Sequence, residues 1–205
     1  MPRTRRGSQL EERLDKAMRV FWERGYYDTS IEDLRARTGL HRAAIYGGFG
    51  NKRKLFETLL DRYRATYIAR FFTPLEVPGA GLSQLEAFFR QFQNLQEPEA
   101  RLGCLMCLTS SEVSPHVRSV ERIVSRFLDD LRSRIRAACM KARDRGEVRA
   151  TTDADLVADY GVGAVLGLWA LIRSPMPRGA IDQYVNGVLI FLQGLRPANG
   201  GGGDR

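Results

Sequence analysis

The stretch Thr29–Phe56, TSIEDLRARTGLHRAAIYGGFGNKRKLF, decides the fold. Thr29 with Glu32 three residues later has the form of a capping box, which satisfies free backbone donors at a helix start. Ile31 and Leu34 then share one face. Thr38-Gly39-Leu40 breaks the pattern where glycine takes a positive φ without steric cost, so a second short helix leaves at a steep angle. That helix is predicted over about 41–48. Ile45 and Phe49, four residues apart, face the core and leave Arg42, Ala43, Ala44, Tyr46 and Gly47 on the outer surface. Outer residues of the second helix of a helix-turn-helix are the ones that enter a DNA major groove.

Upstream, Ser8 with Glu11 forms another candidate capping box. Leu10, Leu14, Ala17, Met18 and Phe21 repeat at helical spacing as far as Gly25, a natural stop, which predicts a core helix under the reader. Met1–Gly7, with Arg3, Arg5 and Arg6, is expected to be a flexible basic arm. Downstream, Asn51 caps a helix whose first turn holds Lys52, Arg53 and Lys54. Cations there oppose the helix dipole unless a phosphate docks at that end. Leu55, Leu59, Tyr63 and Tyr67 carry this helix to about Phe72.

Charge follows the same division. The 205 residues carry a formal net charge of +8. Residues 1–54 hold thirteen Lys plus Arg against seven Asp plus Glu, a net +6, which leaves +2 for the other 151. Phosphate neutralisation supplies most sequence-independent affinity for DNA, so the bias fits a nucleic-acid partner; a solvated tail is the plainer reading of the arm alone.

In order and spacing, Phe21, Gly25-Tyr26, Thr29-Ser30-Ile31, Leu34, Thr38-Gly39-Leu40, Ile45-Tyr46, Phe49, Asn51-Lys52 and Leu55-Phe56 resemble the DNA-binding domain of the tetracycline-repressor (TetR) family. The resemblance covers about one quarter of the chain. No strand pattern appears along the chain, so the fold is expected to be all-α with about nine helices: a three-helix helix-turn-helix domain over 1–54, a helical ligand-binding and dimerisation domain over 55–195, and a tail over 196–205 expected to be disordered. The resemblance implies phosphate contacts from Tyr46 and Lys52. His41 stands where a serine or threonine usually caps the recognition helix, and Gly47-Gly48 replaces larger residues. Arg42 is the expected base reader, since a guanidinium grips the acceptor pair of guanine; a phosphate contact is its alternative. Ala43 and Ala44 can touch thymine methyls, and Thr29 is expected to help position the frame. The candidate DNA-binding set is Thr29, His41, Arg42, Ala43, Ala44, Tyr46, Gly47 and Lys52.

Beyond a linker predicted at Thr73–Leu82, Leu85, Phe88, Phe89, Phe92 and Leu95 form an apolar helical stripe, either plain core or the lining of a ligand cavity. A short helix from Arg101 to about Val113 follows. Ser114-Pro115 then opens a long helix to about Arg145, with Val117, Val120, Val124, Phe127, Leu128, Leu131 and Ile135 inward. Asp153 and Asp155 start the next, where acids suit the positive end of the dipole. A last helix is predicted from Ile181 to Leu195. Small residues Gly163, Ala164 and Gly167, with Tyr184, Val188, Leu192 and Leu195, are the expected dimer contacts in the four-helix bundle that the resemblance implies; packing within one chain is the alternative.

The segment Gly103-Cys104-Leu105-Met106-Cys107 resembles one in a branch of the family whose members sense electrophiles or oxidants. Buried free cysteines otherwise behave as small hydrophobes. Phe88, Phe92, Cys104, Met106, Cys107 and Trp169 make up the candidate ligand-binding set. Three cysteines and two histidines, His41 and His116, give neither a disulfide framework nor a zinc site, and no nucleophile has a base at hand, so neither an enzyme nor a cofactor is expected. No hydrophobic run is expected to span a membrane, which predicts a cytoplasmic protein. Together these readings point to a homodimeric repressor on a palindromic double-stranded operator, released by a small apolar or amphipathic ligand. The alternatives are a cysteine-based redox sensor and a constitutive DNA-binding protein.

Overall fold

The computed structural model describes residues 5–96 and 98–198, without the side chains of residues 5–8 and 99. Every regular element among the described residues is helical. They are α1 (Arg5–Arg24), α2 (Ile31–Thr38), α3 (Arg42–Phe49), α4 (Lys52–Tyr63), α5 (Ala69–Phe71), α6 (Thr73–Glu76), α7 (Leu82–Arg90), α8 (Glu99–Leu102), α9 (Leu105–Glu112), α10 (Arg118–Asp144), α11 (Ala154–Arg173) and α12 (Arg178–Gln193). Among them, nine have eight residues or more. A π-helical turn, Arg64–Ile68, joins α4 to α5, and a 3-10 turn, Gln91–Asn94, ends α7.

The helix starts and stops follow side-chain chemistry with some shifts of register. Asn51 caps α4 by accepting from the Lys54 N–H at 2.9 Å, and Asp153 caps α11 by accepting from the Asp155 and Leu156 N–H groups. Gly39 ends α2 at φ 68°, the left-handed conformation a side chain would strain. Four boundaries differ from expectation. The capping box of α2 is Ser30 with Asp33 rather than Thr29 with Glu32. Helix α1 begins at Arg5, so Ser8 lies within it, and of the expected basic arm Met1–Thr4 lies outside the described residues, as do residues 199–205 of the expected tail 196–205. Part of the predicted linker is the short α6, and Ser114–Val117 forms turns ahead of α10 instead of its first turn.

Contacts group the chain into two units. One comprises 1–69 with 101–127, the other 70–100 with 128–205. This differs from a division at residue 54, because α4 buries Leu55, Phe56, Leu59, Leu60 and Tyr63. In the first unit Phe21 and Phe56 meet at 4.9 Å between ring centroids, Trp22 and Tyr63 at 5.0 Å, and all four rings are fully buried. At about 1.5–3 kcal/mol per buried large apolar side chain, these rings are the main support of the reader. In the second unit α11 and α12 pack together, and α12 also packs on α7. Helix α11 is long and apolar enough to cross a membrane by length and composition, contrary to the expectation that no run would be. Nine of its residues, among them Val157, Ala164, Val165 and Leu168, are nevertheless buried within the chain, as in the core helix of a globular fold.

Candidate nucleic-acid interface

Helix α3 is held by one deeply buried side chain, Ile45, with Phe49 half-buried a turn later. The rest of the helix is bare: Arg42, Ala43, Ala44, Tyr46, Gly47 and Gly48 are exposed, as is His41 just before it. No atom lies within 4 Å of where a Cβ would sit on Gly47 or Gly48, so that face is open backbone. His41 makes no side-chain cap at the helix start, so its imidazole is not spent on the helix end.

Arg42 lies across the turn from α2. Its guanidinium pairs with the Glu32 carboxylate at 3.1 Å, and both side chains are more than half exposed. Hydrogen bonds from Arg35 first, and then the charges of Arg35 and Arg42, hold the Glu32 carboxyl below its usual range. The pair ties the reading face of α3 to α2 with a contact that solvent screens and that a stronger anion can displace. Neighbouring Asp33 is pulled down to about 2, chiefly by the Ser30 hydroxyl and N–H and then by Arg24, which makes it a permanent anion at the α2 start.

Lys52 sits at the start of α4 with its ammonium 4.3 Å from the centre of the Tyr26 ring. Partial burial lowers its pKa against the pull of Glu112, Asp28 and Asp33. A cation over an aromatic face is held in direction while remaining charged. Tyr26 in turn packs on Phe56 at 4.9 Å. Tyr46 is half exposed. Thr29 is placed otherwise than expected: it is wholly buried, and its hydroxyl donates to the Gly25 carbonyl at 2.7 Å, closing the turn between α1 and α2. Its side chain therefore offers nothing to a phosphate.

The six candidate ligand-binding residues fall into both units. Phe88, Phe92 and Trp169 belong to the second, where Phe92 meets Trp169 at 4.9 Å and Phe71 lies 5.0–5.4 Å from Phe92, Phe88 and Trp169. Cys104, Met106 and Cys107 belong to the first, packed with the reader. There the Trp22 indole N–H donates to the Gly103 carbonyl at 3.1 Å, and the Tyr27 N–H donates to the Glu112 carboxylate at 2.9 Å. A Cβ on Gly25 would lie 2.9 Å from the Glu112 carboxylate, and φ there is +87°, the left-handed conformation that favours glycine. Burial raises the Tyr63 hydroxyl; Cys107 is raised by its hydrogen bond to Cys104 and by burial. Burial also pushes Cys104 up, but hydrogen bonds from Cys107, Tyr63 and nearby backbone N–H groups outweigh it, so Cys104 is the thiol of the pair that ionises first.

The expected dimer contacts divide as well. Ala164, Val188, Leu192 and Leu195 are buried within the single chain. Gly167 receives the Tyr184 ring, whose hydroxyl oxygen lies 3.1 Å from its Cβ position. Gly163 is exposed with nothing within 4 Å. Leu156, Tyr160 and Ile190, none of them among the expected contacts, are large apolar side chains that stand exposed.

An exposed helix on a two-helix support, flanked by an oriented lysine and an unshielded tyrosine, defines a helix-turn-helix DNA-binding regulator. Residues 14–59 match the family model for bacterial regulatory proteins of the tetR family, and residues 81–186 match that for the tetracyclin repressor-like C-terminal domain. The HTH-type transcriptional regulator YezE of Bacillus subtilis is 30% identical over 181 residues, 87% of this chain and 93% of YezE. The HTH-type transcriptional repressor ComR of Escherichia coli is 30% identical over 150 residues, 72% of this chain and 71% of ComR. The solved TetR-family regulator CifR, a cysteine mutant complexed with a 26-base-pair operator DNA, superposes with a TM-score of 0.77 at 23% identity, covering 93% of this chain and 98% of that one. The chain belongs to the TetR family. It is a DNA-binding transcriptional regulator and not an enzyme.

Proposed function

We propose that the protein is a homodimeric repressor, released from a palindromic operator when a small apolar or amphipathic molecule enters the aromatic cluster of the second unit. The observation that carries this reading is the cluster itself. Phe71, Phe88, Phe92 and Trp169 gather four rings around one another. An apolar aromatic cluster fits a ligand that brings a ring of its own. Such a ligand acts only if it binds the released state better than the DNA-bound one. In this reading Arg42 discriminates bases, while Tyr46 and Lys52 position the frame through phosphates, with His41, Ala43, Ala44 and Gly47 against the groove wall.

An uncharged exposed face supports the dimer. Leu156, Tyr160, Gly163, Gly167 and Ala170 recur at helical spacing on α11, and Tyr184, Gly187 and Ile190 on α12; none is buried. Between Tyr160 and Ile172, and between Gln183 and Leu195, the two helices carry no Asp, Glu, Lys or Arg. One reader grips one half-site, so a palindrome needs two readers at fixed spacing. The test is a screen of aromatic and amphipathic compounds for loss of anisotropy from a labelled duplex selected by the protein. Compounds that release the wild type and quench its tryptophan emission should lose both effects with Trp169→Phe and Phe92→Ala. Release that is undiminished in both variants would place the effector elsewhere.

A second reading is favoured by the position of Cys104. It is one residue from the carbonyl that holds Trp22 and adjoins Tyr63, so a modified thiol would press directly on α1 and α4 of the reader. Release by an oxidant or electrophile that disappears with Cys104→Ser would favour it; release that survives both Cys104→Ser and Cys107→Ser would remove it.

A further inference from the structure

A groove of about 740 Å³ opens beside the end of α3, and every residue lining it belongs to the first unit. Gly48 and Phe49 line it at the end of α3, Glu57 stands on the α4 wall, and Ser119, Arg122 and Arg126 form the α10 wall. The buried Glu57 carboxylate is already committed. It accepts from the Ser119 hydroxyl at 2.5 Å and from the Lys54 ammonium at 2.9 Å, with Arg53 3.7 Å away. Arg122 and Arg126 are exposed, and no carboxylate among the described residues pairs with either guanidinium. The Arg126 Nε–H donates to the Arg122 carbonyl at 3.2 Å, which leaves the outer fork of that guanidinium free.

Arg118 precedes them on the same helix, so α10 presents three arginines at successive four-residue steps. Like charges at that spacing repel weakly, and an anion shared between them relieves the repulsion. The single exposed acid on the rim, Asp61, leaves an excess of positive charge. A guanidinium presents paired donors that match phosphate oxygens, and bare Gly48 leaves room at the groove mouth.

We infer that this groove binds phosphate, and that its source is the DNA backbone beside the major groove entered by α3, gripped by Arg122 and Arg126 from outside the helix-turn-helix. The inference rests on the DNA-reading role of α3 and is independent of ligand release. Each phosphate neutralised contributes about 0.9 to the slope of log affinity against log salt, so losing both contacts lowers the slope by about two.

The test titrates a duplex selected from a random pool, and a scrambled duplex, across salt concentrations. It uses the wild type, Arg122→Gln/Arg126→Gln, and the charge-matched Lys141→Gln/Arg143→Gln later on α10; circular dichroism melts confirm that all three fold. The groove variant should lose about two from the slope on both duplexes while the control keeps the wild-type slope. Equilibrium dialysis with inorganic phosphate separates the sources: if the DNA slope is unchanged but the groove variant loses phosphate binding that the wild type shows, the site stands and its anion is a free phosphate. Equal slope losses in the two variants, or no change in either measurement, would overturn the inference. A wild type that binds no selected duplex would instead refute the DNA-reading role and leave dialysis to judge the groove.

Discussion

Val188 and Ile190 are two residues apart on α12, and arginine at each should produce opposite outcomes. Val188 is 1% exposed and Ile190 is 69% exposed within one chain. Arginine at 188 forfeits about 1.5–3 kcal/mol of apolar burial. It also places an unpaired guanidinium in the buried core of the second unit, at an effective cost of several kcal/mol more. The sum is comparable with the ~5–15 kcal/mol that holds a domain of ordinary stability together, so Val188→Arg should be unfolded or aggregated. Ile190→Arg alters an exposed position, where a substitution changes monomer stability by about 0.5 kcal/mol or less. In a two-fold dimer the same change appears twice, and two facing guanidinium groups at an apolar contact are repelled and desolvated together. Its product should melt like the wild type yet elute from a sizing column as a monomer. Operator affinity should fall with it, because the second reader no longer arrives at high effective concentration. Tyr160→Arg, whose ring lies 4.2 Å from that of Phe191, should behave likewise. A dimeric Ile190→Arg together with a dimeric Tyr160→Arg would refute the assignment of this face, and a soluble, cooperatively melting Val188→Arg would refute the account of its burial.

Arg42→Ala should cost about 1–3 kcal/mol on the preferred duplex and far less on a scrambled one, whereas Lys52→Ala should weaken both alike and lower the salt slope by about one; equal losses for Arg42→Ala would turn attention to DNA shape. Thr29→Val should cost about 0.5–1.5 kcal/mol of stability through its lost bond to Gly25, with an unchanged salt slope; a reduced slope would return Thr29 to the phosphate contacts. Asp33 is ionised in the folded chain down to about 2 against an ordinary 3.8, so its cap stabilises fully above about pH 4 and is lost as pH falls towards 2. The melting difference between wild type and Asp33→Asn should therefore be constant from pH 5 to 7 and shrink below pH 4; a difference that persists at pH 2 would contradict the cap.

The helical class and the reader were legible because their signals are local. Asn51 and Asp153 announce helix starts with their own side chains, and Gly39 marks a left-handed stop that few other residues tolerate. Register at α2 was not legible from spacing alone. Thr29-x-x-Glu32 and Ser30-x-x-Asp33 are overlapping boxes of the same form, and the choice falls to the second because Thr29 is needed in the buried turn against Gly25. Likewise nothing in the local pattern predicts the π-helical turn at Arg64–Ile68, which follows Tyr63 where that ring packs on Trp22 and stacks on Tyr67.

Sites built by long-range contact were harder to see. Gly103 and Trp22 are 81 residues apart, and only folding shows that the cysteine segment belongs with the reader. The proposed dimer face was hidden for a different reason. Residues 188–192 read Val-Leu-Ile-Phe-Leu, apolar at every position, so helical periodicity has no polar residues with which to separate inside from outside. Val188 and Leu192, the expected contacts, are buried within the single chain, while Ile190 between them is exposed. The informative signal was the charge-free run itself. A helix that needs only one buried face gains solubility from charges on the other, and the charge-free runs Tyr160–Ile172 on α11 and Gln183–Gln193 on α12 fit the proposal that the second face is also covered.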